Sequence, residues 1–243
     1  MNISFILKPR EPEFEPGIEA FLSLMTALGK LRLFQSDWKA YDRPIFDGVE
    51  AYVARTRDGN FEPDPSELKP AEQEFFHASS YIEEPGQTDI LAALTYWWGA
   101  QAMPLNRLNI EIRRPHSTLG TDISLYRDTI AAVIAWQRPQ HVSMAWPVYR
   151  MEHHALDKAR QGLGWLGWVP FELSSTQVPE AAIVEPMADG TFLASQPDFW
   201  FAGGPNKDDD AIAGAQALEL RLNALGVLPT SVELTRGDWG QGG

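Results

Sequence analysis

The sequence predicts a single α+β domain over residues 1–234, a largely antiparallel sheet with helices packed on it. Residues 108–112, LNIEI, alternate apolar and polar side chains, which is typical of a half-buried strand. Residues 15–29 and 208–226 instead repeat their apolar side chains at the spacing of an amphipathic helix. Strands and helices lack the regular βαβ alternation of a parallel sheet, so an antiparallel sheet is favoured. The Gly-rich residues 235–243 are predicted to form a frayed tail.

The first half of the chain carries the signals of one long helix and several strands. Residues 2–8 are predicted as the opening strand. The helix that follows has Pro16 near its start and Gly29 at its end, as helix termini favour. Its apolar face consists of Ile18, Phe21, Leu22, Met25 and Leu28. Beyond this helix we predict a strand within 45–55, a short helix from near Pro65, and strands over 88–99 and 105–115.

The second half begins and ends with a predicted helix. The first covers 121–136, is ended by Arg138-Pro139, and has one apolar face formed by Ile123, Tyr126, Ile130, Val133 and Ile134. Four strands are predicted next, over 141–149, 166–171, 181–187 and 191–195. The last helix starts at three aspartates, because acidic residues are favoured at a helix N-terminus. Its apolar stripe is predicted as Leu218, Leu222 and Leu225, and Gly226 ends it.

The composition is that of a folded protein without cysteine chemistry. Hydrophobic residues make up 44% of the 243 residues and charged residues 22%, which excludes a disordered chain. With no cysteine, disulfides, thiolate metal sites and cysteine nucleophiles are excluded. The apolar run at the N-terminus is too short for a signal peptide, and no run is long enough for a transmembrane helix. We therefore expect a cytoplasmic protein.

The charge balance is strongly acidic. There are 33 Asp and Glu residues against 20 Lys and Arg, so the net charge is −13. Such a surface repels nucleic acid and anionic membranes, and neither is expected as a partner. A basic protein would be attracted and its approach accelerated. The alternative that the acidic surface serves only solubility stays open.

Gly162, Gly164 and Gly167 form the pattern G-x-G-x-x-G, which is typical of dinucleotide-binding turns. That function needs a strand before the glycines and a helix after them. Here the charged, helix-like segment MEHHALDKAR precedes them, and a strand-like segment containing Pro170 follows. Although Glu185 lies near the spacing of a ribose-binding acid, this context argues against a nucleotide site.

No other motif specifies catalysis. The adjacent His153 and His154 with Glu152 invite a metal site, but neighbouring helical residues diverge, and no H-E-x-x-H pattern is present. Ser174 and Ser175 lack the G-x-S-x-G context of a nucleophile. We therefore assign no catalytic residue, no cofactor and no metal, and expect that the chain is not an enzyme.

A series of short segments follows a distinctive order between Thr88 and Pro229. TYWWGAQ and LNIEIRRP come first, then AVIAWQRPQHVSMAW, GWLGWVPF and QVPEAAIVEPMADGTFLAS, and finally a helix ending in LGVLP. This order resembles the immunity protein 52 family of bacterial polymorphic toxin systems, over roughly residues 1–230. In that arrangement the three glycines are turn residues that let Trp165 and Trp168 pack, since glycine tolerates a positive φ.

The resemblance implies an α+β protein that binds a cognate toxin delivered by a contact-dependent or type VI secretion system. The toxin would carry a basic nuclease domain, usually restriction-endonuclease-like, and binding would protect the producer and its siblings. No catalytic residue belongs to that role. As contact residues we nominate Asp208, Asp209 and Asp210 for the acidic rim and Trp98 and Trp165 as aromatic anchors.

Two other function classes are compatible with the sequence. A small-molecule or carbohydrate-processing hydrolase would place paired carboxylates about 5–9 Å apart in a tryptophan-lined cleft. A structural or adaptor component of a secretion machine would instead co-purify with that apparatus. A toxin-binding protein would present an acidic face without such a carboxylate pair.

Overall fold

Ten strands form one antiparallel sheet in the computed structural model, which describes residues 1–8, 14–31, 38–40, 43–44, 76–82, 92–98, 106–112 and 121–240. The strands are β1 (Asn2–Leu7), β2 (Trp38–Ala40), β3 (Arg43–Pro44), β4 (Phe76–Ile82), β5 (Ala92–Trp98), β6 (Asn106–Ile112), β7 (His141–Ala145), β8 (Leu166–Val169), β9 (Ile183–Met187) and β10 (Gly190–Ala194). Their order is β3-β2-β4-β5-β6-β1-β7-β8-β10-β9. The strand predicted within 45–55 and the helix predicted near Pro65 lie outside the described residues.

The first strand lies in the middle of the sheet. It pairs with β6 on one side and β7 on the other, so that Phe5 lies between Leu108 and Val142. Its alternate residues Ile3, Phe5 and Leu7 are all fully buried. Because β1 joins strands that come more than a hundred residues later in the chain, the two halves share one sheet. The predicted α+β domain with a largely antiparallel sheet is confirmed.

Four α-helices accompany the sheet among the described residues: α1 (Phe14–Leu28), α2 (Ile123–Trp136), α3 (Asp209–Ala224) and α4 (Ser231–Arg236). The predicted helices at 15–29, 121–136 and 208–226 correspond to α1, α2 and α3. Asp122 begins α2, since its side chain accepts a hydrogen bond from the Ser124 amide at 3.0 Å. A single π-helical turn, Tyr149–His153, follows β7.

The core is divided between two clusters. Because successive side chains of a strand point to opposite faces, Trp168 and Phe192 belong to one cluster while their neighbours Val169 and Leu193 belong to the other. The first cluster contains the apolar faces of α1 and α2, and the second contains Leu218 and Leu222 of α3. The prediction that Leu225 joins this stripe is wrong: it follows α3 as the C-cap and is 38% exposed.

Residues 235–240 contact distant parts of the chain, whereas the sequence predicts a frayed tail over residues 235–243. Helix α4 ends at Gly237, whose φ of 75° lies in the left-handed region. Trp239 then packs edge-on against Phe171, with ring centroids 5.5 Å apart. Arg138 donates a hydrogen bond to the Gly240 carbonyl at 3.0 Å. Burial of one indole and one long-range hydrogen bond thus order a segment whose composition predicts disorder.

Membrane insertion through a helix finds no support in the described ranges, since none of their helices combines the length and the apolar character needed to cross a bilayer.

Candidate functional site

The G-x-G-x-x-G segment forms a turn that leads into a strand. Its last glycine, Gly167, lies within β8, so a strand follows the glycines where a dinucleotide site needs a helix. Gly164 has φ +76°, and a Cβ there would lie 2.6 Å from the Met144 carbonyl oxygen. Both Trp165 and Trp168 are fully buried beside it. The interpretation of the glycines as turn residues holds for Gly164, which has the positive φ of a turn, and is wrong for Gly167, which lies within the strand.

The amides of this turn nevertheless hold an anion, the buried carboxylate of Glu219 on α3. Its Oε1 accepts hydrogen bonds from the backbone amides of Leu163 and Gly164, both at 2.9 Å. Its Oε2 accepts one from the Tyr149 hydroxyl at 3.0 Å and lies 3.7 Å from His154 Nε2. Consecutive amides in such a turn are a common anion-binding arrangement. In this chain the Glu219 carboxylate occupies the place that an external anion would take.

In its hydrogen bond with Glu219, Tyr149 is always the donor. Burial, and secondly the Glu219 carboxylate, raise the pKa of Tyr149 well above its ordinary value. The phenol therefore stays protonated and remains a donor to Glu219. The Gly162 carbonyl of the same turn accepts a hydrogen bond from Nε2 of the buried His141 at 3.0 Å. Together these contacts tie α3, the π-helical turn and β7 to the glycine turn.

The histidine pair does not converge on one ion. His153 closes the π-helical turn, and its backbone carbonyl accepts a hydrogen bond from Gln216 at 2.6 Å. His154 lies beside Glu219 instead. Across the part of the chain that the structure describes, no three His, Cys, Asp or Glu side chains are grouped to hold a metal ion.

Of the two predicted aromatic anchors, Trp165 lies buried in the core, and Trp98 has a side chain outside the described residues. Trp165 is 0% exposed, and its indole Nε1 donates to the Gln196 carbonyl at 3.0 Å. Its ring meets Tyr126 and Phe199 edge-on. The nomination of Trp165 as a partner contact is therefore wrong, because the core already surrounds its whole surface. Trp98 ends β5, and its side chain lies outside the described residues.

The three nominated aspartates lie together on the surface at the start of α3. Asp208 is the N-cap, and its carboxylate accepts a hydrogen bond from the Ala211 amide at 2.9 Å. Asp209 forms an ion pair with Lys207 at 2.8 Å, and this contact lowers the pKa of Asp209. Asp210 is exposed as well. The run thus presents three carboxylates, one of them paired with a lysine.

An aromatic hollow of about 300 Å³ is lined in part by Phe201–Gly204, which shortly precede these aspartates in the chain. Trp146 and Phe201 stack with ring centroids 5.7 Å apart, and both are partly exposed. The hollow is joined to the acidic run, since the Asp208 amide donates to the Phe201 carbonyl at 2.9 Å. We call the hollow and the run together the acidic–aromatic patch; its residues are Trp146, Val148, Phe201, Ala202, Gly203, Gly204 and Asp208–Asp210.

Sequence reasoning missed Trp146 and Phe201 as candidate contacts. A signal was present in the stretch DFWFAGGPNKDDD, where aromatics and small glycines directly precede the acidic run. Trp146 could not have been found in this way, since it lies more than fifty residues upstream.

No protein-family model matches the sequence, and no curated protein matches it.

Proposed function

We propose that this chain is a non-catalytic immunity protein that binds and neutralises a cognate secreted toxin with a basic nuclease domain. The order of its segments, which resembles the immunity protein 52 family, supports this role. The net charge of −13 supports a basic partner. The observation that carries the proposal is a run of three exposed aspartates that begins at Asp208, whose backbone amide is hydrogen-bonded to Phe201 in the lining of a partly exposed aromatic hollow.

Such a patch suits a basic side chain of the partner. A lysine or arginine over an aromatic face is attracted by the negative charge of the ring face. Carboxylates at the rim steer the cation towards the hollow, because opposite charges accelerate the encounter of two proteins. Aromatic residues in pockets also contribute much of the affinity of protein interfaces. We expect an interface of standard size, on the order of 1,600 Å² in total.

The first test removes the negative charge of the patch but keeps a residue that can cap helix α3. Asp208→Asn, Asp209→Asn and Asp210→Asn together remove three negative charges, while Asn can still cap the helix. The matched control, Asp128→Asn with Glu185→Gln and Asp189→Asn, removes three exposed charges elsewhere. Binding to the product of the neighbouring toxin gene would be measured by surface plasmon resonance at several salt concentrations.

We expect the patch variant to associate about tenfold more slowly at low salt and with a weaker salt dependence. The control variant should stay within about twofold of the unchanged protein. Equal effects of the two variants would assign the attraction to net charge and reject the patch. The proposed function itself would be overturned if the chain does not bind this toxin, does not rescue poisoned cells and turns over a small metabolite.

A further inference from the structure

A second cavity of about 470 Å³ opens beside the Glu219 carboxylate, and its lining is basic. Arg150 comes from the π-helical turn, and Lys158 and Arg160 come from the loop before the glycines. His154 Nε2 is buried there without a hydrogen-bond partner in the described structure. A concentration of three permanent cations in a protein of net charge −13 is unexpected for a surface that serves only solubility. We call this cavity the basic cleft.

The cations of the basic cleft are poorly compensated by the described residues. Arg150 donates to the Ser143 hydroxyl at 2.9 Å, and no described carboxylate lies within ion-pair distance of it. Lys158 is exposed and likewise forms no ion pair with a described residue. Arg160 donates to the Leu228 carbonyl at 2.6 Å, and its nearest described carboxylate, Asp157, is 3.9 Å away. Open donors therefore remain in the cleft.

The one carboxylate in the lining, Glu219, offsets only part of the positive charge of the cleft. Glu219 already accepts hydrogen bonds from two amides and a phenol. Arg150 is an exposed residue, but its guanidinium lies close to protein atoms. This burial and the charge of nearby Arg107 lower the pKa of Arg150 to about 10, although the charge of Glu219 acts in the opposite direction. Two neighbouring guanidinium groups repel each other, so an anion bound in the cleft beside Arg150 would offset that repulsion.

We propose that the basic cleft binds a small molecule that carries a phosphate group. An arginine fork and a lysine point charge are the side chains that proteins use most for phosphate, and three cations favour a doubly charged anion over a single carboxylate. The cavity volume lies within the range of small-molecule sites, so the cleft can also accommodate an organic part. Ala145, Met151 and Leu163 supply an apolar wall for it. This site is independent of the proposed toxin binding.

The test is a calorimetric titration of the full chain with inorganic phosphate at constant ionic strength, with glycerol phosphate and succinate as parallel ligands. Lys158→Gln removes one cleft charge from an exposed side chain and should not disturb the fold. The matched control is Lys30→Gln, which makes the same change at an exposed lysine outside the cleft lining. Arg150→Lys keeps the charge but removes the fork, and its unfolding midpoint is recorded alongside.

We expect saturable phosphate binding at one site, with a dissociation constant of about 1 mM or tighter. Lys158→Gln should weaken it about tenfold, and Arg150→Lys about fivefold without a shift of the unfolding midpoint. Tighter binding of glycerol phosphate would identify a phosphomonoester as the ligand, and equal binding would identify phosphate itself. Absence of saturation, equal effects of Lys158→Gln and Lys30→Gln, or succinate binding as tight as phosphate would each overturn the proposal.

Discussion

Glu219 shows how a single residue can satisfy a turn that resembles a ligand site. The glycine turn presents two amides in one direction, and in a nucleotide-binding protein a phosphate would receive them. In this chain a carboxylate from α3 receives them, and a tyrosine hydroxyl completes its shell. A buried carboxylate is tolerated only when such donors replace its hydration. The charge and the turn therefore depend on each other.

Glu219→Gln should destabilise the protein by about 3 kcal/mol, because a neutral amide replaces a fully hydrogen-bonded buried carboxylate and places its NH₂ against a donor. Glu180→Gln is the matched control, since Glu180 pairs with Arg221 at the surface at 2.9 Å. That change should cost less than about 1 kcal/mol. Urea unfolding of the two variants measures the difference. Equal losses of unfolding free energy in the two variants would show that the buried Glu219 contacts stabilise the protein no more than a surface ion pair does.

His141 makes stability depend on pH. Burial lowers the pKa of His141 to about 4, from an ordinary value of 6.5. Between these values the unfolded chain binds a proton that the folded chain does not, so stability falls as pH falls from 6.5 to 4 and is unaffected above 6.5. Between pH 7 and pH 5 the loss from this residue should be about 2 kcal/mol.

The check is the free energy of unfolding at pH 7 and pH 5 for the unchanged protein and for His141→Gln. Glutamine does not titrate and can still donate to the Gly162 carbonyl. Between pH 7 and pH 5 the variant should therefore lose about 2 kcal/mol less free energy of unfolding than the unchanged protein. Identical pH dependence in both proteins would mean that His141 is not the titrating group.

At the scale of the element, the start of α3 serves two purposes. Asp208 caps the helix, and it also belongs to the acidic–aromatic patch. These roles can be separated, because capping needs a side-chain oxygen whereas attraction of a cation needs a charge.

Asp208→Ala should reduce the free energy of unfolding by about 1 kcal/mol, and Asp208→Asn by only a few tenths. Asp209→Asn, next to the cap, is the control and should also have a small effect, since its partner Lys207 forms a surface pair. The three variants are compared by thermal unfolding. A cost for Asn as large as that for Ala would show that charge, and not the cap, stabilises this end of the helix.

Elements with strong local patterns are those that the sequence predicts correctly. The face of α1 with Phe21, Met25 and Leu28 is buried as its spacing indicates. The tail at Trp239 is different, because composition describes the local chain but not the distant Phe171 against which the indole packs. Trp165 was assigned to the wrong environment for the same reason, since a sequence does not tell a buried indole from an exposed one.

The whole molecule depends on β1, which binds the two halves of the sheet together. Phe5→Ala should destabilise the protein by about 4 kcal/mol, because it leaves a cavity in the core cluster beside Leu108 and Val142. Val232→Ala, at a side chain that is 61% exposed, should change stability by less than about 0.5 kcal/mol.

Unfolding of Phe5→Ala would be followed by tryptophan fluorescence and by far-ultraviolet circular dichroism. Since one sheet spans both halves, the two signals should change in a single coincident transition. Two separate transitions would indicate that the halves unfold independently and would contradict the single-domain description.

The amino-acid sequence by itself determined the fold class, the long helices and most strands of the second half, because these follow from the local periodicity of apolar side chains. It also determined the acidic character that favours a basic partner. Only the tertiary structure decided that Glu219 meets the glycine turn, that Trp146 stacks on Phe201, and that Arg150, Lys158 and Arg160 line one cleft. Each of these contacts joins residues distant in the chain, or side chains whose direction no periodicity specifies, so they arise only when the sheet and helices pack.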